Sequence, residues 1–248
     1  VLVRNALKDP LADLGQVARA VSLEPLISSK LLRLANSVAY NPYGREVSDI
    51  SAAVRRLGFD VVRTTALAVA LDQMLKSRNV SNYEALATKV WEHSIQVASI
   101  ARVLARHLGK LNPDEALLAG LVHDIGIFFL LYRAADYPNY QNDPALMHSL
   151  LVDWHESIGK NLLQTLGMPS NIVDAVGGHD QPRDISNPSS INDLIYLANL
   201  LAGRERKDFP ASPSLVDGSP NQLDKDLYAD LLEEAADDIR ELQQTLAG

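Results

Sequence analysis

The sequence predicts an all-α protein. Apolar residues recur at i, i+3, i+4 and i+7 through almost every segment, and turn and stop signals separate these runs. No segment sustains the apolar–polar alternation of a strand.

The elements follow in order. Leu14, Val17, Ala18 and Val21 mark a first helical face, and Ser22 to Pro25 read as a break. A second face comprises Ile27, Leu31, Leu34, Ala35 and Val38, with the helix reaching Ala39. Asn41-Pro42-Tyr43-Gly44 is a turn. Ile50, Val54 and Leu57 belong to a helix stopped by Gly58, and Val61 to Leu75 form a long apolar helix. Residues 76–83 are a polar break. The next helix runs from about Ala85 to His107, with Val90, His93, Val97, Ile100, Ala101 and Leu104 on one stripe.

Asn112-Pro113-Asp114-Glu115 opens another helix, with acids where the helix dipole favours them. It leads into Leu118-Ala119-Gly120-Leu121-Val122-His123-Asp124-Ile125-Gly126, where Gly126 loosens or ends the helix. Pro138 and Pro144 bracket a loop. The following helix places His155 on a face with Leu151, Ile158 and Leu162. Ile172, Val176 and His179 share the next helix, ended by Gln181-Pro182. Ile191 to Ala202 is apolar nearly all round, apart from Asn199. Residues 203–221 hold two glycines and three prolines and read as a linker. A final acidic amphipathic helix, about Leu223 to Leu246, carries Leu227, Leu231, Ala235, Ile239, Leu242 and Leu246. It either docks on the body, the simpler outcome, or pairs with another chain as a homodimer.

Composition narrows the function. The chain has 248 residues, 47% of them hydrophobic, enough for a sizeable core. Having no cysteine, it excludes disulfides, zinc–thiolate sites and thiol nucleophiles, which fits a reducing cytoplasm. No apolar run reaches the roughly 18 residues of a membrane span. The start, Val1-Leu2-Val3-Arg4-Asn5, is no signal peptide, and the expectation is a piece of a longer protein. The net charge of −8 disfavours nucleic acid as a partner, although residues 1–78 carry 11 Lys+Arg against 7 Asp+Glu. The first two helices also have the spacing of a helix-turn-helix, which would put Lys30 and Arg33 in a major groove. Two packed helices of a bundle explain the same periodicity and are the preferred account.

Four of the six histidines, His93, His123, His155 and His179, fall on apolar helical faces, while His107 and His148 do not and read as surface residues. With Asp124 and Asn199 they make six polar groups directed into a core. An unsatisfied buried polar group costs roughly 1–3 kcal/mol. Six would offset most of the roughly 5–15 kcal/mol by which a domain is stable. Pairing is required: through a metal, through a polar network, or separately at unrelated positions. Imidazole and carboxylate ligands without sulfur favour Fe, Mn, Zn, Ni or Mg. Two adjacent ions suit phosphate-ester hydrolysis. No phosphate loop, nucleophile elbow or His-Glu-x-x-His motif competes.

The order His93, His123-Asp124, His155, His179, Asn199 resembles the HD superfamily of metal-dependent phosphohydrolases. The blocks Leu31-Leu32-Arg33-Leu34-Ala35-Asn36-Ser37-Val38-Ala39-Tyr40, Ile50-Ser51-Ala52-Ala53-Val54-Arg55-Arg56-Leu57-Gly58, Trp91-Glu92-His93-Ser94 and Ala175-Val176-Gly177-Gly178-His179-Asp180-Gln181-Pro182 narrow the resemblance to the HDOD (HD-related output domain) branch. The resemblance implies a helical subdomain over 1–78, an HD-like core over 79–203, and a linker and acidic helix over 204–248. It implies that His93, His123, Asp124 and Asn199 hold one divalent ion, with His155 and His179 serving a second and Asp180 able to join them. The sequence departs from active enzymes at Asn199, which stands for an aspartate, at Ile127, which stands for a lysine, and at Asp180, which stands for a histidine. No residue is thereby assigned a catalytic role. The expectation is a bacterial signalling and interaction domain with a degenerate metal site and little or no catalysis. Its partner would be a signalling protein or a fused regulatory domain, not a membrane. A phosphohydrolase acting on a nucleotide or cyclic dinucleotide is the first alternative. Nucleic-acid binding through the N-terminal helices is the second.

Overall fold

A computed structural model describes residues 13–75, 83–181, 183, 187–203 and 228–246. All of the expected linker but Gly203 lies outside the described residues, as do Leu223, Leu227, most of the polar break at 76–83, and Pro182. Eleven helices and no strand occur among those described. The chain divides into two compact units: residues 1–72 with 240–248, and residues 73–239.

In the first unit, α1 (Leu14–Ser22) starts at a capping box. The Asp13 carboxylate accepts the Gln16 N–H, and the Gln16 side chain accepts the Asp13 N–H. Val17, Ala18 and Val21 turn inward, as predicted, while Leu14, at the first position of the helix, is exposed. α2 (Pro25–Ala35) begins at a proline, which has no N–H to leave unpaired there. It ends four residues before the expected Ala39, and Val38 is 82% exposed. The cause is Asn36, whose amide donates to the Val47 carbonyl and accepts the Val47 N–H, both at 2.8 Å. Such side-chain bonds compete with helix continuation. Arg56 completes the clamp by donating to the Ala35 and Arg45 carbonyls. The first two helices share one core through Val17, Ala18, Val21, Leu31, Leu34 and Ala35, as the preferred account of their periodicity requires. Lys30 is only 2% exposed, and Arg33 donates to the Gln244 carbonyl at 2.8 Å.

α3 (Ile50–Leu75) is interrupted at Gly58, where φ is 75° and ψ is 171°. The predicted stop is therefore a break between two helical stretches.

The second unit contains α4 (Glu84–Leu108), α5 (Pro113–Val122), α6 (Ile125–Ala134), α7 (Pro138–Asn142), α8 (Pro144–Leu166), α9 (Ser170–Val176) and α10 (Ile191–Ala202). α5 packs at backbone distance on α4: a Cβ added at Gly120 would lie 2.5 Å from the Ala98 Cα. Leu118, Leu121, Ile125, Phe128, Leu151 and Leu194 fill the core. The stretch Pro113–Ala134 does pass for a membrane span by length and composition, correcting the sequence reading. It is two helices broken at His123-Asp124 and mostly buried inside the protein, as core helices are.

The loop expected between Pro138 and Pro144 contains the short α7, and each proline starts a helix. On α8 the buried row is Met147, Leu151, His155, Gly159 and Leu163. Ile158 and Leu162 are only half-buried. Apolar periodicity misplaced this face because Gly159, which belongs to it, carries no apolar side chain.

α11 (Ala229–Leu246) brings Asp238 to Arg102 and Arg106 on α4, at 3.6 and 3.5 Å. Glu234 contacts His107 at 2.8 Å. Ala235 and Leu242 of the expected stripe are buried, and Leu231 and Ile239 half-buried, in the single chain.

A Cβ at Gly58 would meet nothing within 4 Å, so only its backbone conformation demands glycine. Gly58→Ala is expected to cost about 1–3 kcal/mol of stability, read as a lower urea midpoint with unchanged slope.

Candidate metal centre

The centre lies wholly within the second unit. α5 ends at Val122 and α6 begins at Ile125, so His123 and Asp124 form the two-residue joint between them. On one continuous helix, neighbours diverge by about 100°. At this joint they meet, with His123 Nε2 3.2 Å from Asp124 Oδ2. The other Asp124 oxygen lies 3.4 Å from His179 Nε2 and 4.0 Å from His155 Nε2. Asp124 therefore faces histidines from both sides.

His93 comes from α4, His155 from α8 and Asn199 from α10. His179 and Asp180 lie in the turn beyond α9, not on the helix as predicted, because α9 ends at Val176. That turn is held by Arg183, which donates to the Gly178 carbonyl at 2.6 Å. The imidazole rings form a chain, His93 to His123 to His179 to His155, with centroids 5.3, 5.0 and 5.3 Å apart. His107 and His148 are exposed, as expected of surface residues.

Gly126 has a different part from the one expected. It sits inside α6, and a Cβ there would collide with the His155 carbonyl and lie 2.9 Å from the Gly159 nitrogen. Its missing side chain lets α6 close on α8, so that Asp124 reaches His155.

The histidines are oriented for ligation. Nδ1 of His123, His155 and His179 lies 2.7–2.8 Å from the carbonyls of Gly120, Leu151 and Val176. A carbonyl only accepts, so Nδ1 carries the proton, and in the neutral ring Nε2 keeps its lone pair. The three Nε2 atoms are buried and make no hydrogen bond. Two ligand atoms each about 2.0–2.2 Å from one ion stand roughly 3–4 Å apart. The separations of 3.2–4.0 Å around Asp124 match that spacing.

Asn199 is also brought in. Its Oδ1 lies 2.8 Å from His93 Nε2, and its Nδ2 donates to Asp180 Oδ1 at 3.2 Å. Both ends of the amide are engaged, so in this arrangement it links His93 to Asp180. Among the described residues, the acidic and imidazole side chains form two groups. His93, His123 and Asp124 make one; His155, Glu156, His179 and Asp180 make the other. Within each group one ligand atom per residue lies within 4.8 Å of the rest. Glu156 was missed from sequence, since it adjoins His155 on a helix and breaks the apolar pattern. It accepts the Asp180 N–H at 3.0 Å.

His179 is the electrostatic focus. Burial opposes its charged form, but Asp180, Asp124 and Glu156 outweigh burial and push its pKa up to about 9. A proton held between carboxylates occupies a place suited to a cation.

An all-helical core with a buried His-Asp centre in this chain order defines an HD-like helical protein. The family model for the HDOD domain matches residues 1–182, and the chain belongs to that family. Among solved structures, a protein from Shewanella amazonensis SB2B assigned to the metal-dependent phosphohydrolases superposes with a TM-score of 0.74 at 25% identity. The match covers 98% of this chain and 89% of that one. A protein from Marinobacter aquaeolei VT8 assigned to signal transduction superposes at 0.63 and 23% identity, covering 100% of this chain and 58% of that one. An uncharacterized protein of Treponema pallidum (strain Nichols) is 23% identical over 71% of this chain. Ribonuclease Y of Desulfotalea psychrophila is 33% identical over 46%. The chain spans only 35% and 18% of those two relatives.

Two outcomes follow. The Cβ of Gly126→Ala meets only backbone, whereas that of Gly159→Ala meets the Val176 side chain at 3.1 Å. Overpacking costs about 1–3 kcal/mol or more, and the urea midpoint should fall further for Gly126→Ala than for Gly159→Ala. The His179 pKa exceeds its ordinary 6.5, so its stabilisation of metal-free protein is present below about 6.5 and lost as pH rises through about 9. Denaturant midpoints of chelator-treated protein should fall across that window, and His179→Gln should flatten the profile.

Proposed function

We propose that this chain is a bacterial, cytoplasmic signal-transduction output module on a phosphohydrolase-like core. In this reading its buried centre holds one or two divalent ions, from Fe, Mn, Zn, Ni or Mg, for structure and not for turnover. The observation that carries it is burial. His93, His123, Asp124, His155, His179, Asp180 and Asn199 are all between 0 and 7% exposed. Structural metal sites fill their coordination with protein ligands, while catalytic ones keep one coordination position for water or substrate, and this many buried donors can fill a coordination sphere. Asn199 supports the same reading: it is an uncharged amide at the position where the resemblance expects a carboxylate. Membership of the HDOD family and likeness to a signal-transduction protein add to it.

The module acts, in this proposal, by contact with a signalling protein or a regulatory domain in the same polypeptide. α11 is the candidate surface for a homodimer. Nucleic acid is disfavoured by the burial of Lys30.

A metal-dependent phosphohydrolase is the second reading. It is favoured by the two ligand groups with Asp124 between them. The ribonuclease Y relatives point to phosphodiesters as its substrate class.

The deciding experiment loads the chain separately with Mn, Fe, Ni, Zn and Mg. It then assays bis-p-nitrophenyl phosphate, cyclic dinucleotides and an RNA oligonucleotide. Turnover is expected to equal that of His123→Ala and Asp124→Ala. Robust turnover abolished by both substitutions would establish the hydrolase instead.

A further inference from the structure

We propose that Glu156 is a ligand of the second ion, completing a site with His155, His179 and Asp180. This rests on the reading above that the centre holds divalent metal.

The placement is specific. Glu156 follows His155 on α8, and its Oε1 accepts the Asp180 N–H at 3.0 Å, which holds the carboxylate beside Asp180. One ligand atom of each of the four residues falls within 4.8 Å of the others. His155 and His179 each aim a buried Nε2 that makes no hydrogen bond, while their Nδ1 atoms are held by main-chain carbonyls. The site is thus built around two buried ring nitrogens, not around acidity alone.

Charge completes the case. Two carboxylates, Glu156 and Asp180, balance a dication within this group, whereas the group of His93 and His123 has only Asp124. Asn199 contributes no charge, and Glu156 restores a carboxylate to the centre from another helix. Its side chain is 24% exposed, which places it at the edge of the centre. Two imidazoles with two carboxylates suit Mn, Fe or Zn.

The test titrates the chelator-treated chain with Co(II) and Mn(II), following calorimetry, metal content after dialysis and the Co(II) visible spectrum. Glu156→Gln keeps an oxygen to accept the Asp180 N–H but removes the charge. It should weaken one bound ion by at least about tenfold, as loss of a metal-site partner does, and alter the Co(II) bands. Glu156→Asp should bind with intermediate affinity, and it serves as the readout if the Gln variant fails to fold. His123→Ala should retain the Glu156-dependent ion. Variants that load with native affinity and native Co(II) spectrum would overturn the role of Glu156 while leaving the metal centre standing. Native chain that binds neither metal would remove the metal reading itself, and this inference with it.

Discussion

The centre depends on how closely α6 approaches α8. Gly126 lies against the carbonyl of His155 and the backbone of Gly159, with no side chain between the helices. That approach sets the distance from Asp124 to His155 and His179. An ion at such a point tolerates little error, because its ligand bonds vary by only about 0.2 Å. The glycine in the His-Asp motif is therefore a spacing element for chemistry carried by neighbouring residues.

Orientation is fixed by a second, repeated device. Three histidines spend one ring nitrogen on a main-chain carbonyl three or four residues earlier, leaving the other to face inward. The carbonyls set both the rotamer and the protonated nitrogen. Four imidazoles and two aspartates buried together then need a positive charge. The high pKa of His179 expresses that need when only protons are available. Asn199 ties the two groups together by hydrogen bonds to His93 and Asp180.

Much was legible in the sequence because helices announce themselves locally. The all-α class, the break at Gly58, the Asn112 cap, α10 and the inward faces of α1 and α4 followed from spacing and capping chemistry. The inward direction of His93, His123, His155 and Asn199 followed too, while their meeting at one centre was one of three outcomes the residues left open. Reading went astray where a residue acts without an apolar signature. Asn36 ended α2 early through a contact with Val47, and Gly159 hid the true inward face of α8.

The sequence alone determined which residue types enter the apolar helical core: imidazoles and carboxylates, without sulfur. Periodicity is a local property, and it carries that much. Only the tertiary structure decided how they meet. The joint at His123-Asp124, the turn that carries His179-Asp180, the addition of Glu156 and the bridging part of Asn199 all depend on distances between helices far apart in the chain. Those distances are set by backbone contact at Gly120, Gly126 and Gly159. A glycine in sequence does not reveal what presses against it.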